Sequence, residues 1–348
     1  MISGARYEYT LFGLGIMPYI TATLIIWIFM AIKGSEYRAR FSPQKTERLT
    51  LVIMLITAVS FAVSRSEDLI FKESEMTADI LRIIAVLEMT TGAVMIYEMA
   101  RRNKEQGIGG QTPLILVNIL DNLYGTIRRF AWADLVKPLI LCLIMAVVIL
   151  IMENVFIRIP VQRVSIHNTY ADKSYIAFKL DPIGVMPVMF AVSFFMLPQL
   201  VIQFLLFLDE ENRTFQMMEE RMQLTDVVGA SVYLGIIFLL NVLFSFLMLA
   251  PGEMEEQLQK GGDSITGVYA GKKTKKYLRN RILLLSIVSG VILCLMVGAS
   301  LGLSLRGEIP SELALFPSTA MILIGILCPI YQEVKTYRKF DSYSFFIT

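Results

Sequence analysis

Residues Leu11 to Ile32 read LFGLGIMPYITATLIIWIFMAI, 22 positions without a charge. A run of that length meets the ~20 residues that a helix needs to cross a hydrocarbon core of ~30 Å. Gly13, Gly15 and Pro18 fall in its first third, where they weaken the helix that the apolar composition favours. A spanning helix broken there either lines a cavity or is a lipid-facing helix with a proline kink, and the composition of the stretch allows both. The Thr21 and Thr23 hydroxyls just beyond can bond back to carbonyls of their own helix, so they do not decide between the two.

Eight more apolar runs follow, at roughly 49–64, 80–100, 110–126, 135–157, 182–208, 227–250, 280–305 and 313–331, each read as a span by length and apolar content. Two are weak: Leu49 to Ser64 is barely long enough, and the 110–126 run carries Asn118, Asp121 and Asn122. Both are accepted because the basic residues demand a regular alternation. Segments 33–48, 101–111, 158–181, 251–281 and 332–348 hold 22 Lys and Arg, against 7 in 64–79, 121–134, 209–226 and 305–313. Loops rich in Lys and Arg stay in the cytoplasm, which places the first set and the C-terminus inside and the ten residues before the first run outside. With 55% hydrophobic and 18% charged residues, lipid solvates most of the chain, and the expected class is an all-α integral membrane protein of about nine spans. The first run is too long, and lacks the preceding basic region, for a cleavable signal.

Several function classes fall away. Net charge is only +2 and spread among loops, which gives no nucleic-acid footprint. His167 is the single histidine, so no His-based triad or paired-His metal site can be assembled. Cys142, Cys294 and Cys328 sit in apolar runs without metal or disulfide spacing and read as buried, inert thiols. No nucleophile with a base, metal cluster or cofactor fingerprint is found, and no enzyme activity, metal or cofactor is expected. Glu105-Gln106-Gly107-Ile108-Gly109-Gly110 is a tight turn, because the lysine and hydroxyl of a phosphate loop are missing.

Inside the 80–100 run, Glu98 precedes Arg101 and Arg102 at helix-pairing spacing, and Arg82 can snorkel outward. Glu88 falls near mid-membrane, where an ionisable side chain is a functional candidate, although Thr90 and Thr91 can share its hydrogen bonds in a packing role. Asn118 and Asn241 read first as helix-to-helix hydrogen-bonding residues. Segment 251–281 opens Pro251-Gly252-Glu253 and passes to Lys272-Lys273-Thr274-Lys275-Lys276. Such a basic segment is either held inside by anionic lipid or is a docking tip for a cytosolic protein.

Leu14-Gly15-Ile16-Met17-Pro18-Tyr19-Ile20 with Thr21-Ala22-Thr23 closely resembles the second span of SecY, the protein-conducting channel of the bacterial plasma membrane. The resemblance runs from about Ile2 to Thr336. Gln106 to Gly110 is similar to the family's glycine turn before its fifth span, and Leu180-Asp181-Pro182-Ile183-Gly184-Val185-Met186-Pro187 to the start of its seventh. Gly252-Glu253, Lys260-Gly261-Gly262 and Gly267-Val268-Tyr269-Ala270-Gly271 resemble its eighth-to-ninth loop. Val161 to Asn168 and Glu333-Val334-Lys335 resemble the accessory SecY paralogue of Gram-positive bacteria more than the housekeeping channel.

The resemblance implies a pseudo-symmetric helical bundle, of ten spans in the family. Residues 1–157 would form an N-terminal half matching its second to sixth spans, the sixth (135–157) belonging to the second repeat. Residues 158–348 would form the C-terminal half, with cytoplasmic loops 158–181 and 251–281. It places an apolar pore ring on Ile16, Ile20, Leu116, Leu120, Met189 and Leu323, and a lateral gate on Pro18, Thr21, Thr57 and Ser193. It makes 251–281 a motor-docking loop through Tyr269, Lys272, Lys273, Lys275 and Lys276. Tyr269 stands where housekeeping channels carry an arginine, which implies a different, specialised SecA-type motor ATPase. The other partners implied are a small SecE-like membrane subunit, accessory Sec proteins, membrane lipid and the translocating preprotein, of the serine-rich surface glycoprotein kind.

Two functions follow for comparison: a passive export channel driven by a separate ATPase, and a secondary transporter of a small or lipidic substrate, which would also use broken helices near the midplane. Glu88 is the best support for the transporter, while the Ile, Leu and Met lining favours the channel. Family members also carry a helix and a plug segment before the residues matching Ile2. We therefore expect DNA upstream of Met1 to encode a further apolar run of about 20 residues, the rival expectation being a natural plugless channel.

Overall fold

The computed structural model describes residues 11–33, 42–67, 78–110, 112–163, 174–208 and 213–344. His167, residues 164–168 of the accessory-like segment and the ten residues before Leu11 lie outside them, as does the side chain of Ser193. Each of the nine apolar runs contains a helix. They form α1 Met17–Lys33, α2 Pro43–Glu67, α3 Ala78–Gln106, α4 Thr112–Arg129, α5 Trp132–Asn154 and α6 Met186–Leu208. After the short α7 Arg213–Arg221 come α8 Val227–Leu249, the short α9 Pro251–Gly261, α10 Lys272–Leu305 and α11 Phe316–Ser344. Among the described residues, six helices are long and apolar enough to cross a membrane, α2 among them.

The chain divides into two compact units, Met1–Phe130 with Ile326–Thr348, and Ala131–Gly325. In the first, Met54, Ala58 and Ala62 recur every four residues on α2 and are buried, while Val52, Ile56, Val59 and Val63 form its exposed face. Small side chains let backbones approach closely where lipid offers no hydrophobic drive between helices. Accordingly Ala58 and Ala62 pack with Met89 and Ala93 of α3 and with Leu14. The rings of Tyr19 and Tyr97 meet edge to face at 5.3 Å.

In the second unit α8 packs along α10 and α6. Asn241 on α8 is fully buried, and its Nδ2 donates to the Ser286 carbonyl (2.7 Å) and to Ser289 Oγ (2.9 Å) on α10. The helix-to-helix role expected of it is therefore what the structure shows. α6 meets α8 through Phe190 against Phe244 and Phe195 against Tyr233. α5 is two-sided: Leu135, Met145, Ile149 and Met152 are buried, whereas Val136, Ile140, Leu143, Val147 and Ile151 form an exposed apolar stripe suited to lipid.

To the helical class the structure adds a small antiparallel sheet, in the order β2-β1-β3. β1 is Phe156–Arg163, β2 Tyr175–Lys179 and β3 Asp263–Ile265. Ile157 pairs with Phe178 and Val161 with Ile265. Segments 158–181 and 251–281, read from sequence as separate loops, are thus one folded body. Its core is Ile159, Phe178 and Ile265 against Leu278, Ile282 and Leu285 of α10.

Candidate functional site

The break in the first apolar run is the beginning of a helix, not a kink within one. Leu11 to Ile16 form turns, closed by the Gly15 N–H donating to the Phe12 carbonyl at 2.8 Å. Gly15 has a φ of 55°, a conformation glycine enters without a Cβ penalty. Pro18 is the second residue of α1, where its missing N–H costs no helical hydrogen bond. The 17 residues of α1 rise only about 25 Å, so the turn completes the run. Arg65 of α2 donates Nη1 to the Gly13 carbonyl at 2.8 Å. Gly92 of α3 sits against the same turn: a Cβ built there would stand 1.8 Å from the Leu11 carbonyl oxygen.

Of the expected ring residues, Ile16, Ile20, Leu116 and Leu120 belong to the first unit, and Met189 and Leu323 to the second. Ile16 and Ile20 are buried one helical turn apart, linked by the Ile20 N–H to Ile16 carbonyl bond of 3.1 Å. Leu116, Met189 and Leu323 are half-buried, and Leu120 is 47% exposed. The start of α1 meets α4 at Asn118, whose Nδ2 would lie 3.5 Å from a Cβ on Gly15. Asn118 is about 160° around α4 from Leu116 and Leu120.

Among the expected gate residues, Thr57 Oγ1 lies 3.3 Å from the Pro18 carbonyl, 3.1 Å from that of Ile53 and 3.0 Å from that of Met54. Its single proton serves one of them at a time, so the contact with Pro18 ties α2 to the first turn of α1 and can be exchanged within α2 at little cost. Thr21 and Thr23 bond back to the Met17 and Tyr19 carbonyls at 2.9 and 2.8 Å. Glu88 is exposed on α3 beside the exposed Ile84 and Leu87. Thr90 and Thr91 spend their hydroxyls on the Val86 and Leu87 carbonyls, not on Glu88. Glu98 does pair with Arg102, at 3.1 Å, and with Arg101, at 3.8 Å. The three cysteines form no disulfide and are half-buried, so they are less enclosed than the buried thiols expected from the apolar runs.

The expected docking residues lie at the tip of the sheet-bearing body, and the lysines are helical. Tyr269 is 77% exposed, its carbonyl accepts from Thr274 Oγ1 at 3.0 Å, and the Lys273 ammonium stands 4.6 Å above its ring. Lys272, Lys273, Lys275 and Lys276 occupy the first turn and a half of α10, all exposed. A helix N-terminus carries partial positive charge, so four lysines there oppose the local field and favour an anionic neighbour.

Two anchors escaped the sequence reading. Glu333 on α11 accepts the Gly109 N–H at 3.1 Å, and Asn103 on α3 donates to the Ile108 carbonyl at 3.2 Å and to that of Gly110. The glycine turn is thereby fixed from both sides by residues 224 positions apart in one case. Lys179 at the end of β2 pairs with the buried Glu153 of α5 at 2.8 Å. Neither the Glu333–Gly109 nor the Lys179–Glu153 pairing leaves a signal in spacing, because those partners are distant in sequence.

Comparison with known proteins gives a consistent picture. The sequence model of the SecY family matches residues 10–331. The accessory Sec system protein translocase subunit SecY2 of Streptococcus parasanguinis is 28% identical over 98% of this chain and 85% of its own length. The protein of the same name from Streptococcus sanguinis is 24% identical over 99% and 86%. Among solved structures, a SecY protein studied for its plug domain aligns over 94% of this chain and 83% of its own, with a TM-score of 0.62 and 15% identity. Another, described as a protein-conducting channel, gives a TM-score of 0.63 and 14% identity over 94% and 82%. With a family match spanning nearly all its apolar runs, the chain belongs to the SecY family.

Proposed function

We propose that this chain is the channel subunit of an accessory Sec export system, passing unfolded preproteins of the serine-rich surface glycoprotein class across the plasma membrane. The family match over residues 10–331 carries this reading, and relatives named accessory translocase subunits support it. In this reading the halves 1–157 and 158–348 flank the path. Ile16, Ile20, Leu116, Leu120, Met189 and Leu323 close it by dewetting, a seal that needs no specific ion site. Pro18, Thr21, Thr57 and Ser193 line the lateral gate. The 22 to 7 division of basic residues puts the sheet-bearing body and the C-terminus in the cytoplasm. The exposed position of Glu88 beside Ile84 and Leu87 disfavours the transporter reading, which needs its intramembrane charge turned toward a substrate.

A SecA-type motor would dock on Tyr269 and Lys272, Lys273, Lys275 and Lys276, with a small SecE-like subunit and accessory Sec proteins completing the assembly in lipid. The docking test is Tyr269→Arg. The ring now holds the Lys273 ammonium at 4.6 Å, an arrangement worth about 0.5–1 kcal/mol at an exposed site, and a guanidinium in its place repels that ammonium. Motor affinity measured on reconstituted protein is expected to fall about fivefold, with membrane insertion unchanged. Unaltered affinity and export in the variant would make this tip a solvated turn.

A further inference from the structure

Three ionisable side chains that the pore, gate and docking readings leave unused converge where α6 begins. Glu153 comes from the end of α5, Lys179 from the end of β2, and Asp181 from the turn that runs into α6. Glu153 Oε2 accepts from Lys179 Nζ at 2.8 Å. The other carboxylate oxygen of Glu153 lies over Gly184, so close that an added Cβ would stand 2.9 Å from it. Gly184 has a φ of 68°, and its N–H donates to Asp181 Oδ1 at 3.0 Å. The next turn starts directly from there, with Val188 and Met189 donating to the Val185 carbonyl. Glu153 and Asp181 are both buried, while the Lys179 side chain is 31% exposed.

Two buried carboxylates therefore face one ammonium. If all three ionise, the cluster holds a net negative charge away from water, which is costly unless a proton neutralises it. Burial pushes the Asp181 carboxyl up to about 7; the Gly184 amide bond opposes this, the Glu153 charge adds to it, and the Ile183 amide and Lys179 charge oppose it. The charged groups bearing on Asp181 are thus Glu153 from α5 and Lys179 from β2.

We propose that Glu153 and Lys179 are positioning residues for the root of α6, and that one proton on Asp181 sets how firmly the Asp181–Gly184 turn holds that root. The consequence for export rests on the channel reading, in which α6 carries Met189 and Ser193; the joint itself does not. The sign follows from linkage. A carboxyl whose proton is held more tightly in the closed turn than in water stabilises the closed turn at low pH, and that contribution is lost as pH rises toward 7.

The test is amide hydrogen exchange by mass spectrometry on the full chain in detergent, corrected for the intrinsic exchange rate at each pH. Protection of Ile183 and Gly184, and with them Val188 and Met189, is expected to fall about tenfold or more between about pH 5 and pH 7 and then level off. Asp181→Asn should abolish the pH dependence. Glu153→Gln, which leaves Lys179 to Asp181 alone, should move the levelling point to lower pH and also serves if the first variant does not fold. Protection that is equal at both pH values in the parent chain, or a Glu153→Gln profile that superimposes on it, overturns the joint. Neither result touches the channel reading, because no translocation enters the measurement.

Discussion

Replacing Gly92 with alanine is expected to destabilise the protein by about 3 kcal/mol, the upper end of what overpacking usually costs. The added Cβ would stand 1.8 Å from the Leu11 carbonyl oxygen and 2.6 Å from its carbon. The obstacle is backbone, which cannot swing aside as the end of a side chain can. Either α3 moves away from α2, opening the Ala58, Ala62 and Ala93 contact, or the turn carrying Ile16 shifts. Gly125→Ala on α4 is the control, since nothing lies within 4 Å of a Cβ built there. Exchanging glycine for alanine within a helix then stabilises by roughly 0.5–1 kcal/mol. Unfolding of both variants in mixed detergent reads the difference. Equal stability of the Gly92→Ala and parent proteins would remove the Leu11 turn from its seat on α3.

Leu120→Asn should raise the resting ion conductance of reconstituted channels on the order of tenfold, since a polar side chain wets an apolar constriction and makes a conducting state easier to reach. Leu120 is 47% exposed, so the substitution leaves the packing of α4 intact. Ile20→Ser should act in the same direction, with some loss of stability in addition, because Ile20 is buried. Export should persist in both. Conductance unchanged in both variants would take these residues out of the ring.

Sequence alone made the membrane class and the helices legible, because a bilayer leaves so few ways to satisfy a backbone. Even α2, barely long enough by apolar content, is a 25-residue helix. The glycines and proline of the first run correctly marked a break, but the apolar run overstated the helix by six residues. Apolar content is a statement about solvent, whereas the helix start depends on Gly15 turning to a φ of 55°. The sheet had a signal: Ile157, Ile159 and Val161 alternate with Arg158, Pro160 and Gln162, the period of a strand. Hydropathy averaged over a membrane-length window erases a period of two. The register that joins β1 to β3, like the seat of Glu333 on Gly109, depends on residues too far apart for any local pattern to relate them. The ring, gate and docking residues came from resemblance, since ordinary core packing selects the same Ile, Leu and Met.

The most direct measurement places a photoreactive amino acid, one position at a time, at Ile20, Leu120, Leu87 and Leu143, in cells where a serine-rich preprotein has been stalled during export. Leu87 and Leu143 are 62% and 69% exposed on the apolar faces of α3 and α5, which in a bilayer meet lipid. The channel account predicts covalent adducts with the stalled chain from Ile20 and Leu120 and none from the two lipid-facing positions. Adducts from Leu87 and Leu143 with none from Ile20 or Leu120 would contradict it.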